Sequence, residues 1–160
     1  MPAYEIEHPG MTKKHTETID SKLKTAWQVV SRMYNAEAIL HGGTLAMAHF
    51  LLCVDSHEGS YASEIAPQLG TESTSLSRII SSLEEKKLIQ RIADVSDKRK
   101  IKIVLTAKGK AQKEMAKNIV RNFNHLAEVK LGKEKINGFF QIIDEIIVLA
   151  EQRNRLIKES

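Results

Sequence analysis

The chain has a single cysteine, Cys53. An intrachain disulfide is therefore impossible, and a secreted disulfide scaffold is excluded. It also lacks any apolar run of the ~18 residues that a membrane-spanning helix needs. The opening segment MPAYEIEHPG carries acids and a proline where a signal peptide would have an apolar core. These absences point to the cytoplasm, with no membrane partner. Nor is there a glycine-rich phosphate loop, a cluster with metal-ligand spacing, or a serine with a histidine base nearby in sequence. Neither an enzyme nor a bound cofactor or metal is expected. What is present, 42% hydrophobic and 28% charged residues over 160 positions, is the composition of a globular protein.

Net charge is only +4, but it is unevenly spread. The window from Lys86 to Lys113 holds ten basic residues against Asp94 and Asp97, a net of +8, which leaves −4 for the rest of the chain. A local basic patch of this kind points to an anionic partner.

Periodicity divides the chain. Residues 1–15, with Pro2, Pro9 and Gly10, show no period and read as a loose arm. Leu23, Ala26, Trp27, Val30, Met33 and Tyr34 fall on one face of a helix that Gly42-Gly43 interrupts. Thr44 can cap a short, very apolar helix ending around His57–Gly59. A helix over about Ala62–Leu69 must be short or irregular, because it contains Pro67. Thr71 can cap the next, on which Leu76, Ile79, Ile80 and Leu83 form the buried stripe. Its other side carries Ser73, Ser75, Ser77, Arg78, Ser81 and Ser82. After Leu88 the period becomes two: a short strand around Gln90–Ile92, a polar turn from Asp94 to Arg99, and a strand with Ile101, Ile103 and Leu105 alternating with Lys102 and Val104. Thr106 caps a long helix reaching about Lys130, with Met115, Ile119, Val120, Phe123 and Leu126 inward. Leu131-Gly132 separates it from a last helix.

Helix, turn, helix and hairpin in this order make a winged helix-turn-helix, whose second helix enters the DNA major groove. Its serines allow close approach, and Arg78 can meet a guanine edge or a phosphate. At the hairpin tip Asp97 can hold Arg99 for a narrow groove or a phosphate pair. Lys98, Lys100 and Lys102 add salt-dependent attraction to phosphates. The expected DNA-binding set is Ser73, Ser75, Ser77, Arg78, Ser81, Asp97, Lys98, Arg99, Lys100 and Lys102.

The last helix is more apolar than one packing face requires. Together with Leu23, Trp27 and Val30 of the first helix, its Phe139, Phe140, Ile143, Ile146 and Ile147 read as a subunit interface. The expected architecture is mainly α. An arm spans 1–15, dimerisation helices 16–42 and 107–160, and a winged helix-turn-helix 43–106. Cys53, in an apolar segment, reads as an inert buried thiol. His41, His49 and His57, eight residues apart, lack ligand spacing, and a metal site with Glu37 or Glu58 is the weaker reading.

The stretch LSRIISSLEEKKLIQRIADVSDKRKIKIVLTAKGK resembles the core of the MarR family of bacterial transcriptional regulators. The residues that carry the resemblance are Arg78, Leu83-Glu84, Arg91, Asp97 with Arg99, and Leu105-Thr106 with Lys108-Gly109. It covers roughly residues 20–155 and is strongest over 74–110. It implies a homodimer built on the first and last two helices, two wings meeting DNA through Arg99, and double-stranded DNA as partner. A small aromatic or anionic effector bound between the dimer part and the DNA-binding part is a candidate further partner. Two departures stand out: Lys87 where relatives commonly have glycine, and Pro67 in the preceding helix. The competing reading is a winged helix that serves as a protein-interaction or structural module without reading DNA sequence.

Overall fold

The computed structural model describes residues 17–70, 73–94 and 100–159. The expected arm, and Asp97, Lys98 and Arg99 of the hairpin tip, lie outside them. The elements are α1 (Ile19–Leu40), α2 (Leu45–Cys53), β1 (Ser60–Tyr61), α3 (Ala62–Leu69), α4 (Ser73–Glu85), β2 (Ile89–Ala93), β3 (Ile101–Leu105), α5 (Ala107–Leu131) and α6 (Lys133–Lys158).

Among the described residues threonines open three helices, because their hydroxyls accept first-turn N–H groups that have no helical partner. Thr18 accepts from Ser21, Thr44 from Met47 and Thr106 from Gly109. At the end of α1, Gly42 takes the left-handed conformation (φ 74°). The Gly43 and Gly42 N–H groups then donate to the Ala38 and Ile39 carbonyls, both at 2.9 Å, closing the helix. The chain turns through 88° from α1 into α2.

One core serves the middle of the chain. Phe50 and Leu51 of α2, with Val54 just beyond it, meet Ile65 of α3, Leu76, Ile80 and Leu83 of α4, and Leu88, Ile89, Ile103 and Leu105 of the wing. Every member of this cluster lies between positions 47 and 105. Outside it, α1 buries only Ala38, and α6 buries nothing. Pro67 is accommodated because α3 is only eight residues long and stops at Gly70 (φ 58°).

Three expectations need correction. The second helix ends at Cys53, short of His57–Gly59. Val54 is extended, and its carbonyl accepts a hydrogen bond from Lys113 of α5, whose ammonium is buried there. Beyond it, the Asp55 carboxylate accepts the N–H groups of His57 and Glu58, both at 2.8 Å, and holds a turn. Second, a third strand, β1, joins the hairpin in the order β1-β3-β2, with Ser60 opposite Ile103 and Tyr61 opposite Lys102. Two residues are too few to show alternation. The local signal is Gly59: a Cβ there would lie 2.4 Å from the Ile103 carbonyl oxygen. Third, Leu126, expected inward, is exposed on the single chain.

Candidate nucleic-acid interface

Helix α4 seats Leu76, Ile80 and Leu83 in the core and turns Ser75, Ser77, Arg78 and Ser81 to solvent. Ser73 opens the helix, and Ser82 is half-buried. The hydroxyl-rich face thus carries one long cation among short side chains, the relief a groove-entering helix requires.

The joint after α4 is tightly built. Lys87 has φ 57°, the one positive φ of a non-glycine residue among those described. In that conformation Leu88 N–H reaches the Leu83 carbonyl and Lys87 N–H the Glu84 carbonyl, both at 2.9 Å. Leu83 and Leu88 are both buried, the apolar contact that accompanies such a helix stop. Thr106 then clamps the start of α5 onto the joint. Its hydroxyl donates to the Lys87 carbonyl at 2.8 Å, and its N–H donates to the Leu88 carbonyl at 3.1 Å. Gly109 permits the approach, since a Cβ there would sit 1.9 Å from the Leu88 oxygen.

The wing pairs Ile89 with Leu105, Arg91 with Ile103 and Ala93 with Ile101. Asp94 N–H donates to the Lys100 carbonyl at 3.1 Å at its outer end. Lys100 is exposed, whereas Lys102 is half-buried with its ammonium 5.8 Å from the centre of the Tyr61 ring. The Tyr61 hydroxyl donates to the Asp94 carboxylate, a bond that raises the phenol pKa. On the other side of the hairpin, Arg91 Nη2 donates to Glu84 Oε2 at 2.8 Å and to Ser81 Oγ at 3.2 Å. Sequence reading assigned no role to Tyr61 or to the Arg91–Glu84 pair. Their partners come together only when the hairpin folds back.

On the expected interface helices, Phe139, Phe140 and Ile147 of α6 and Leu23 of α1 are exposed, while Val30, Ile143 and Ile146 are half-buried. Trp27 is 55% exposed and stacks on His49 at 6.2 Å between ring centres. Burial pushes the His49 imidazole below its usual pKa and the Cys53 thiol above its usual value. Among the described residues no group of three or more His, Cys, Asp or Glu is gathered to hold a metal ion. No single described helix is long and apolar enough to cross a membrane.

Between α1, α2 and α5 lies a cavity of about 290 Å³. Its wall includes Met47, Leu51, Met115 and Ile119, together with His41, His49, Gln112, Lys86 and Lys108, and among the described residues it has no carboxylate. Lys86, Leu88 and Lys108 belong to the α4–α5 joint, so the cavity touches the C-terminal end of α4. The Lys108 ammonium donates to the Lys86 carbonyl at 3.1 Å.

Residues 44–101 match the family model described as the MarR family. Comparison with curated proteins finds no match. Among solved structures, the transcriptional repressor CouR bound to a 23-mer DNA duplex is 27% identical, with a TM-score of 0.71 over 81% of this chain and 92% of that one. The complex of S. aureus MepR with DNA is similar in fold, at 21% identity and a TM-score of 0.74 over 82% and 97% of the two chains. The transcriptional regulator SlyA is similar too, at 23% identity and a TM-score of 0.73 over 85% and 94%.

Proposed function

We propose that this chain, a winged helix-turn-helix protein of MarR type, is a transcriptional regulator that binds double-stranded DNA as a homodimer and acts as a repressor. The observation that carries the reading is α4: a helix anchored by Leu76, Ile80 and Leu83 that holds Ser75, Ser77, Arg78 and Ser81 outward beside a basic hairpin. Two such helices in a two-fold dimer address half-sites roughly 34–36 Å apart, so the site is a pseudo-palindrome. Arg78 works in the major groove, and Arg99 with Asp97, Lys98, Lys100 and Lys102 supplies the wing's contacts. The likeness to CouR, whose structure holds a DNA duplex, supports the partner. Residues 16–42 and 107–160 form the dimer part, and residues 43–106 the DNA-binding part.

The test is selection of duplexes from a random library by the purified protein, followed by affinity measurement for Arg78→Ala and Arg99→Ala. Each substitution is expected to weaken binding by about 1–3 kcal/mol with the dimer intact. Unchanged binding would overturn the reading and leave a protein-interaction module.

The cavity supports an effector of matching chemistry: a small aromatic anion, its ring against Met47, Leu51 and Met115 and its charge toward Lys108 or His41. Because the cavity wall includes the α4–α5 joint, a ligand there biases the spacing of the two reading helices. A panel of aromatic carboxylates, assayed for release of the selected duplex, checks this.

A further inference from the structure

Arg91 stands where the wing's alternation calls for an apolar residue. Paired strand residues share a face, and the register Ile89–Leu105 and Arg91–Ile103 puts Arg91 on the face of Ile89, Ile103 and Leu105, which are buried, with the exposed pair Ala93–Ile101 beyond it at the outer end. At the edge of the core its guanidinium reaches α4, with Nη2 at 2.8 Å from Glu84 Oε2 and 3.2 Å from Ser81 Oγ. Ser81 and Glu84 are one turn apart, and Arg78 lies one turn further along the same stripe. Arg91 therefore grips the helix on the stripe that carries its longest outward cation. The pair is too exposed to contribute much to global stability. Its geometry supplies orientation instead: it ties the hairpin to the reading face, while Tyr61 and Asp94 tie the hairpin to β1 on its other edge.

Resting on the DNA-binding reading above, we infer that Arg91 is a positioning residue that holds the wing at a set angle to α4 through Glu84 and Ser81, so that helix and wing engage one half-site together. It acts through Glu84, not through a phosphate of its own. Losing either member of the pair therefore has the same consequence, and losing both costs no more than losing one.

Arg91→Gln, Glu84→Gln and the double variant in the full chain separate the cases. Hydrogen exchange of the wing amides at 91–93 and 102–104, measured without DNA, is expected to quicken alike in all three. Affinity for the selected duplex is expected to fall about fivefold in each, without added loss in the double variant. Protection of the base pairs flanking the major-groove contacts, where the wing lies, is expected to fade first. Arg91→Lys is expected to restore only part, because an ammonium lacks the planar fork. If Arg91→Gln weakens binding while Glu84→Gln strengthens it and wing exchange is unchanged, Arg91 is a direct phosphate contact and the inference is overturned. A wild-type chain that selects no duplex overturns the DNA reading itself. That outcome is distinguishable, because wing exchange is read without DNA.

Discussion

At position 87 the backbone adopts a conformation that costs any residue with a Cβ, and a lysine occupies it. The left-handed turn is imposed from both sides. Leu83 and Leu88 must both enter the core, and Thr106 bonds the carbonyls of Lys87 and Leu88. The departure noted in the sequence, a lysine where relatives of the resembled family commonly have glycine, thus sits on a left-handed turn. Lys87→Gly should relieve the strain. Part of the gain is offset by the greater freedom of glycine in the unfolded chain, leaving a stabilisation of about 0.5–1 kcal/mol. For a chain of this length that is a rise of about 1–4 °C in Tm, measurable by calorimetry. A fall in Tm would show that Lys87 makes a compensating interaction. Arg91 shows a different limit on residue-level reading. Seven positions separate it from Glu84, a spacing that along one helix would leave the two side chains two turns apart, and a hairpin turned back on its helix makes them neighbours.

Between elements, legibility followed the length of the periodic signal. Helix α4 offers four apolar positions on one stripe, and three of them are buried with Ile79 partly so. Strand β3 was readable in its inner half, with Ile103 and Leu105 buried and Val104 less so, while Ile101 at the outer end is exposed. Helix α2 was not, because its sequence is apolar all round and has no face to read. Its end is set by Lys113, sixty positions away from Cys53, donating to the Val54 carbonyl. The packing of α1 on α2 offers a pH test. His49 stacks on Trp27 in a partly desolvated place, and its folded pKa lies below the ordinary 6.5. The unfolded chain then binds this proton more readily. The associated stability is complete above about pH 6.5 and is lost as the pH falls through the folded value. Thermal melts from about pH 7 to about pH 5 should show a decline that His49→Gln reduces. An identical decline in the variant would assign it to the carboxylates.

Over the whole molecule, burial is concentrated in the winged unit, while α6 presents Phe139, Phe140 and Ile147 to solvent and buries no residue of its own. In a chain of 18.0 kDa an apolar helix this open is expected to be covered by a second surface. The proposed homodimer covers it. Phe140→Glu with Ile147→Glu should halve the mass seen by light scattering from twice 18.0 kDa, with helix content retained. Duplex affinity should collapse along with it, because a lone winged unit reaches a single half-site. A doubled mass in the variant would place the interface elsewhere. The amino-acid sequence by itself determined the order of elements, the buried stripe of α4, the hairpin and the local concentration of positive charge. These are readable because each rests on periodicity, capping or composition within a few turns of chain. Only the tertiary structure decided where α2 stops, that Ser60–Tyr61 adds a strand, that Lys87 bears the strained turn, and that Arg91 clasps Glu84. Each of these depends on a contact between distant segments, whose energy exists only once the core has brought them together.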